Sequence, residues 1–349
     1  MPELVVIAEQ LLAPVPGGTG RYTAELVRAL AETAPAGWTV SSVTARHKRG
    51  LPGARTLPLP PRALIAAWQA GVPYWPGGDA VHAPTPLAPA RVPKGRTLSV
   101  TVHDTVPWTH PETLTPRGVR WHRAVIARAA RRATGLVVPT RAVADDLAKR
   151  VPVRAPVTVA GHGVASVFTR DDLPEVDVPA RYVLAVGTLE PRKGIDVLIS
   201  AMARVGVPLV LAGQPGWGGL DPVAMAGDRA DVRVLGRLDD DALAAVLRRA
   251  SVLAVPSLAE GFGLPLLEAM AAGVPVVHSD APALVEVAGG AGVRVPRGDA
   301  AALAAALNGV LSDPERAADL VSRGRARAAS FSWARAAEAV WAVHEPATS

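Results

Sequence analysis

Apolar residues occur along this chain in short dense runs, separated by longer stretches in which they recur at helical spacing. Leu4-Val5-Val6-Ile7-Ala8 is the first such run, and the pattern predicts strands near 3 to 8, 38 to 44, 79 to 82, 97 to 102 and 135 to 138. Between them the 3.6-residue period predicts a helix from about 20 to 33 and another from 115 to 133. A second series begins with a strand at Tyr182 to Val186 and continues near 208 to 212, 232 to 235, 252 to 255 and 275 to 278. Strand and helix alternate from end to end, which argues for an α/β architecture with mainly parallel sheets.

The alternation lapses between 165 and 180. Arg170-Asp171-Asp172-Leu173-Pro174-Glu175-Val176-Asp177-Val178-Pro179 is polar, carries prolines and has no period, so it reads as a linker. A length of 349 residues also exceeds what a single core normally supports. The expected organisation is two Rossmann-like units in tandem, 1–168 and 178–330, followed by a terminal segment 331–349. In that segment Ser332 is placed to cap a helix whose Trp333, Ala337, Val340 and Trp341 fall at helical spacing. Two Trp on one face need burial, at the junction of the units or on one of them.

Composition narrows the class. Hydrophobic residues make up 49% of the chain and charged residues 19%, as in a globular protein with ample core. No apolar run approaches the roughly 18 residues that a membrane span requires, and the start Met1-Pro2-Glu3 reads as the lead into a first strand rather than a secretory signal. Cysteine is absent, so there is neither a disulfide nor a thiolate metal site, consistent with a cytoplasmic setting. The net charge of +6 raises the question of an acidic partner, yet aromatics are only 4% of the chain, which argues against a nucleic-acid reader. The densest basic stretch, Arg117, Arg120, Arg123, Arg128, Arg131 and Arg132, lies on an expected helix; it is either a solvated face or a contact for an anionic membrane or acceptor.

Candidate chemistry sits where strands hand over to helices, because in a parallel sheet the helix N-termini there aim N–H groups at ligands. Pro16-Gly17-Gly18-Thr19-Gly20 opens one helix and would let backbone approach a phosphate or an acceptor, although its spacing is not that of a dinucleotide fingerprint. Gly187-Thr188-Leu189-Glu190-Pro191-Arg192-Lys193-Gly194 supplies a guanidinium fork and a compact ammonium side by side, suited to opposite oxygens of a diphosphate. Glu260-Gly261-Phe262-Gly263-Leu264 precedes a helix expected from Leu264 to Ala272, on which Glu268 lies. Glu260 can accept hydrogen bonds from sugar hydroxyls, and Glu268 is either a bidentate acceptor for the two hydroxyls of a ribose or a salt-bridged helix residue.

These motifs, in this order, resemble glycosyltransferase family 4, and the resemblance covers nearly the whole chain. Glu260 and Glu268 match its paired-glutamate signature, Arg192 and Lys193 its diphosphate loop, and His82-Ala83-Pro84, Val102-His103-Asp104 and the glycine loop its N-terminal half. The resemblance implies a GT-B fold, with two Rossmann-like domains facing across a cleft and a C-terminal helix crossing back to the first. It implies a retaining, metal-independent hexosyltransferase using a nucleoside diphosphate sugar. His103, Arg192, Lys193 and Glu260 would be catalytic. Gly17, Gly18, Gly187, Arg237, Leu238, Gly261, Phe262, Gly263, Leu264 and Glu268 would join Arg192, Lys193 and Glu260 in binding the donor, with Arg237 and Leu238 touching the base through backbone. Tyr22, His82, Asp104, Trp108 and His110 are the candidates for the acceptor side. The Gly-Thr-Leu-Glu-Pro-Arg-Lys variant resembles the mannosyltransferase branch, so GDP-mannose is the first donor expected and a UDP-sugar the second. Where the family often has Pro-Asn-Gly, this chain has Gly161-His162-Gly163, which leaves the role of His162 open.

Two signals point elsewhere and are better explained locally. Asp239-Asp240-Asp241 precedes an apolar helix and complements its N-terminus, and the 8 histidines lack metal-ligand spacing. No cofactor or metal is therefore expected. The acceptor is expected to be a glycan, a lipid-linked saccharide or a small molecule. A nucleotide-sugar epimerase or hydrolase and a non-catalytic nucleotide-sugar-binding subunit remain as rivals.

Overall fold

The structure is a computed structural model that describes residues 1–216 and 218–344. It divides into two compact units, which are described separately. Unit 1 comprises 1–111, 115–163 and the segment from 332, and unit 2 comprises 112–114 and 164–331.

Unit 1 is built on strands β1 Glu3–Ile7, β2 Thr39–Thr44, β3 Ala54–Thr56, β4 Ala80–Ala83, β5 Thr97–Thr101, β6 Gly135–Val138 and β7 Val157–Val159. All pair in parallel, in the order β3-β2-β1-β4-β5-β6-β7. Helices α1 Gly17–Glu32, α2 Pro61–Gln69, α3 Val106–Thr109, α4 Pro116–Arg132 and α5 Arg141–Arg150 cover the sheet. Leu4, Val5 and Val6 are fully buried, the state expected of a central strand covered on both faces. Each such side chain contributes about 1.5–3 kcal/mol on burial.

Unit 2 repeats the plan with β8 Val183–Val186, β9 Leu209–Ala212, β10 Val232–Gly236, β11 Val252–Val255, β12 Val276–Ser279 and β13 Val293–Val295, in the order β10-β9-β8-β11-β12-β13. Its helices are α6 Ile195–Met202, α7 Pro222–Ala226, α8 Asp240–Arg249, α9 Leu264–Ala272, α10 Pro282–Ala288, α11 Ala300–Leu311 and α12 Pro314–Ala328. Asp239 caps α8 by accepting from Ala242 N at 2.8 Å, which accounts for the acidic triplet. In both sheets the strand order reverses beside the first strand, between β1 and β4 and between β8 and β11. Those switch points are where open α/β sheets bind ligands.

Two expectations are adjusted, and the helix expected to cross back to the first domain is found there. The division falls between Gly163 and Val164, ahead of the expected boundary at 168, because Phe168 is buried with α8 and α9. The supposed linker is a strap on unit 2, where Arg249 Nη1 donates to Val176 O at 2.6 Å and Arg170 Nη2 to Asp241 at 2.7 Å. The last helix, α13 Trp333–His344, packs on α1 and β5 and so belongs to unit 1, burying Trp333 and Trp341 there. Positions 345–349 of the terminal segment lie outside the described residues.

Candidate active site

In unit 2 the loops that follow β8 and β11 flank the switch point and grip each other. Gly194, at φ +66°, ends the turn Pro191–Lys193 and starts α6, and a Cβ there would overlap the Pro256 carbonyl oxygen. Only glycine satisfies both the left-handed backbone and the close approach. The backbone continues the contact with Leu258 N donating to Arg192 O at 2.8 Å.

This approach draws four expected or neighbouring charges together. Lys193 Nζ donates to Glu260 Oε1 at 2.6 Å, and Ser257 Oγ donates to the same oxygen at 2.8 Å. Arg192 donates through Nη1 to Ala259 O at 2.7 Å and through Nη2 to Glu190 Oε1 at 2.5 Å, while its Nη1 lies 3.7 Å from Glu260 Oε2. Side-chain exposure is 14% for Arg192, 19% for Lys193 and 10% for Glu260. Burial pushes the Glu260 carboxyl up, but the charges of Lys193 and Arg192 and the hydrogen bonds from Lys193 and Ser257 together hold it below the ordinary carboxylate range. Glu260 is thus ionised at neutral pH. Glu190 and Ser257 have no role in the sequence reading, although Glu190 stands within the first motif and Ser257 three residues before Glu260.

The other donor candidates of unit 2 follow its strands at the same end of the sheet. Gly187 follows β8 with φ +144° and packs against the aliphatic stem of Lys193. Gly263, at φ +94°, caps α9, whose start carries no side-chain cap and no acidic residue in its first turn. Gly261 and Leu264 are buried, and the Phe262 ring lies edge-on to Phe331 at 5.6 Å, so its side chain serves packing. Glu268 is 1% exposed within α9. Arg237, exposed, and Leu238, half-buried, follow β10.

Unit 1 places His103 just past the end of β5, half-buried. Its Nε2 lies 2.8 Å from the Pro84 carbonyl oxygen, which can only accept, so Nε2 carries the proton and Nδ1 is the acceptor of the neutral ring. Burial lowers its pKa, partly offset by the Pro84 hydrogen bond and the Asp104 charge. Asp104 Oδ1 accepts from Val106 N at 3.0 Å and so anchors the start of α3. Trp108 packs against the unit 1 core with the Arg123 guanidinium 5.9 Å from its ring centre, and His110 Nδ1 lies 3.1 Å from Thr109 Oγ1. Gly17 and Gly18 are exposed in the first turn of α1, which begins at Gly17 rather than near 20.

Two acceptor candidates are corrected. Tyr22 is 1% exposed with its hydroxyl 2.9 Å from Thr101 Oγ1, and His82 is fully buried on β4 with Nδ1 2.7 Å from Ser99 Oγ. Both are core residues, out of reach of a substrate. His162 is also buried: its Nδ1 donates to Gly161 O at 2.5 Å and its ring packs on Tyr22 and Trp333. The basic face of α4 is partly committed to the fold. Arg123 Nε donates to Pro107 O at 2.9 Å and Arg128 Nη2 to Gln69 O at 2.7 Å, whereas Arg117, Arg120 and Arg131 are exposed. Among the described residues no three His, Asp or Glu are grouped to hold a metal, and no helix is long and apolar enough to cross a membrane.

Comparison with known proteins agrees with this layout. A profile described as "Glycosyltransferase Family 4" matches residues 16–166, and one described as "Glycosyl transferases group 1" matches 173–327. The chain is 39% identical over 161 residues to O-antigen chain mannosyltransferase B of Escherichia coli, covering 44% of this chain and 42% of that protein. It is 36% identical over 221 residues to a phosphatidyl-myo-inositol mannosyltransferase of Mycolicibacterium smegmatis, covering 59% and 56%. The chain therefore spans about half the length of these curated relatives. Sucrose-phosphate synthase from Thermosynechococcus elongatus shares the fold with a TM-score of 0.72 over 98% of both chains at 24% identity. With two parallel Rossmann-like sheets of the GT-B type, and a mannosyltransferase-like sequence, the chain belongs to glycosyltransferase family 4.

Proposed function

We propose that this protein is a retaining glycosyltransferase that moves a hexose, mannose from GDP-mannose in the first instance, from a nucleoside diphosphate sugar to an acceptor hydroxyl. The observation that carries the reading is the Arg192, Lys193 and Glu260 cluster at the unit 2 switch point. Two cations there match the charge that develops on a departing diphosphate, so the reaction needs no divalent metal. When the diphosphate takes Lys193, the Glu260 carboxylate is released to accept from sugar hydroxyls. Glu268 then serves the ribose, Arg237 and Leu238 the base, and the Nδ1 lone pair of His103 accepts from a sugar hydroxyl near the anomeric centre. Mannosyltransferase names among the relatives favour GDP-mannose over a UDP-sugar.

On the acceptor side, unit 1 holds most of the 37 Lys and Arg and about a third of the 31 Asp and Glu. That imbalance suits an acceptor carrying anionic groups, such as a lipid-linked saccharide reached from the cytoplasmic face of an anionic membrane. The first experiment is a thermal-shift panel of GDP, UDP, GDP-mannose and UDP-glucose, because a ligand of the native state raises the midpoint with its affinity. GDP-mannose is expected to give the largest shift. No shift with any nucleotide overturns the reading, and donor consumed without glycosylated product across an acceptor panel replaces transferase by hydrolase or epimerase.

A further inference from the structure

A file of buried polar side chains runs through unit 1 from its last helix to the His103 loop. His344 on α13 has both ring nitrogens on hydroxyls, Nδ1 2.7 Å from Thr97 Oγ1 and Nε2 2.7 Å from Ser99 Oγ. Ser99 Oγ is also 2.7 Å from His82 Nδ1, and His82 Nε2 is 3.4 Å from Thr101 Oγ1. The file ends where Thr101 Oγ1 meets the Tyr22 hydroxyl at 2.9 Å. Thr97, Ser99 and Thr101 are alternate residues of β5 and so share one face of the sheet.

Polar groups in a core cost free energy unless each finds a partner, so an apolar filling would be simpler here. What the file achieves is a partner for every ring nitrogen. Burial holds His82 and His344 neutral, and a neutral imidazole donates from one nitrogen and accepts at the other. Tyr22, Thr101, His82, Ser99, His344 and half-buried Thr97 are joined end to end, with both nitrogens of each ring satisfied. The phenol is thereby pinned at its oxygen. Its ring meets the His103 ring edge-to-face, with centroids 4.7 Å apart and planes at 88°, and is braced by His162 at 4.7 Å. The Pro84 carbonyl fixes the His103 tautomer through one ring nitrogen, and the Tyr22 ring lies against the same imidazole.

We propose that Tyr22 is the positioning residue for His103, and that the file back to His344 holds Tyr22 in place, which makes the far end of the chain part of the same apparatus. The functional consequence rests on the reading that His103 meets the donor sugar. The experiment takes the full chain as wild type and as Y22F, T101V, H344F, H103A, Y22L and the double variant H103A/Y22L. Two readouts are used: histidine ring ¹⁵N spectra, and donor turnover with GDP-mannose and UDP-glucose. Wild type is expected to show a single Nε2-protonated His103. Y22L is expected to broaden the His103 ring signals while leaving Nε2 protonated, and to give about 10–100-fold lower kcat with donor KM changed less than about threefold. Y22F and T101V keep core volume closely and H344F removes both ring nitrogens at a modest gain in size; all three report if Y22L fails to fold, and are expected to broaden the same His103 signals. If Tyr22 acts through His103, adding Y22L to H103A costs less than about twofold more. Additive losses, or unchanged His103 signals in Y22F, T101V and H344F, overturn the proposal. An inactive wild type overturns the glycosyltransferase reading instead, while the ring spectra still decide the positioning.

Discussion

Removing the Lys193 ammonium separates the proposed catalytic role of its ion pair from the structural one. In Lys193→Ala the Glu260 carboxylate loses its 2.6 Å partner but keeps Ser257 at 2.8 Å and Arg192 at 3.7 Å. Stripping one member from a fully buried pair costs about 3–5 kcal/mol. With two partners left and 10% of the side chain exposed, about 1–3 kcal/mol is expected here. For a unit of this size that is a drop of roughly 3–10 °C in melting temperature. Turnover should fall by about 10²–10³-fold, the loss that accompanies removal of one stabiliser of developing charge. The double variant Lys193→Ala/Glu260→Gln removes the stranded charge, so it should regain most of the lost stability and none of the turnover. Steady-state donor consumption and thermal melts on all three proteins supply both numbers. Lys193→Ala turning over within about threefold of wild type, or a double variant that melts no higher than the single, would refute this account.

Gly194→Ala combines a left-handed backbone with overlap onto Pro256 O and should cost about 2–4 kcal/mol and abolish the donor-induced thermal shift, whereas Gly206→Ala, which opens onto free space, should change stability by under about 0.5 kcal/mol in the same melts. Burial pushes His162 down to about 3 and His344 down to about 4, so the unfolded chain takes up protons first as pH falls. Their stabilisation is complete above about pH 6.5 and drains as pH falls toward those values; urea midpoints measured from about pH 7.5 to 4 should therefore decline, and less steeply in His344→Gln. Glu260→Gln should bind nucleoside diphosphate nearly as wild type but lose about tenfold of the extra affinity for the nucleotide sugar, since a carboxylate accepts more strongly than an amide; titration calorimetry with GDP and GDP-mannose decides, and an unchanged ratio removes Glu260 from sugar recognition.

The runs that became central strands were legible because burial on both faces demands an uninterrupted apolar sequence, as in Val183-Leu184-Ala185. The edge strands β3, β7 and β13 escaped because each has three residues, largely outside the fully buried core and with Thr or Arg among them. Arg192, Lys193 and Glu260 were legible as residue types on strand-to-helix loops. Their pairing was not, since it depends on Gly194 lying against Pro256 and joins positions 67 residues apart. Tyr22 and His82 were misread for a related reason. A polar side chain suggests a ligand until the neighbouring hydroxyls are known, and here they come from the inward face of β5.

The unit 2 cluster is balanced in charge, with Glu190 and Glu260 against Arg192 and Lys193. At 10–19% side-chain exposure an unpaired ammonium or guanidinium would carry a desolvation penalty, so the carboxylates lower the cost of keeping two cations ready in a closed loop. Glu190 and the Ala259 carbonyl fix the Arg192 fork from one side. Glu260 differs in that its partner Lys193 is flexible and compact and can turn to a stronger anion without moving the backbone. On the proposed function, a diphosphate that takes Lys193 would leave Glu260 with hydrogen-bonding capacity for a hydroxyl of the donor sugar. Phosphate recognition and sugar recognition are then one exchange, because the same carboxylate stands at both ends of it.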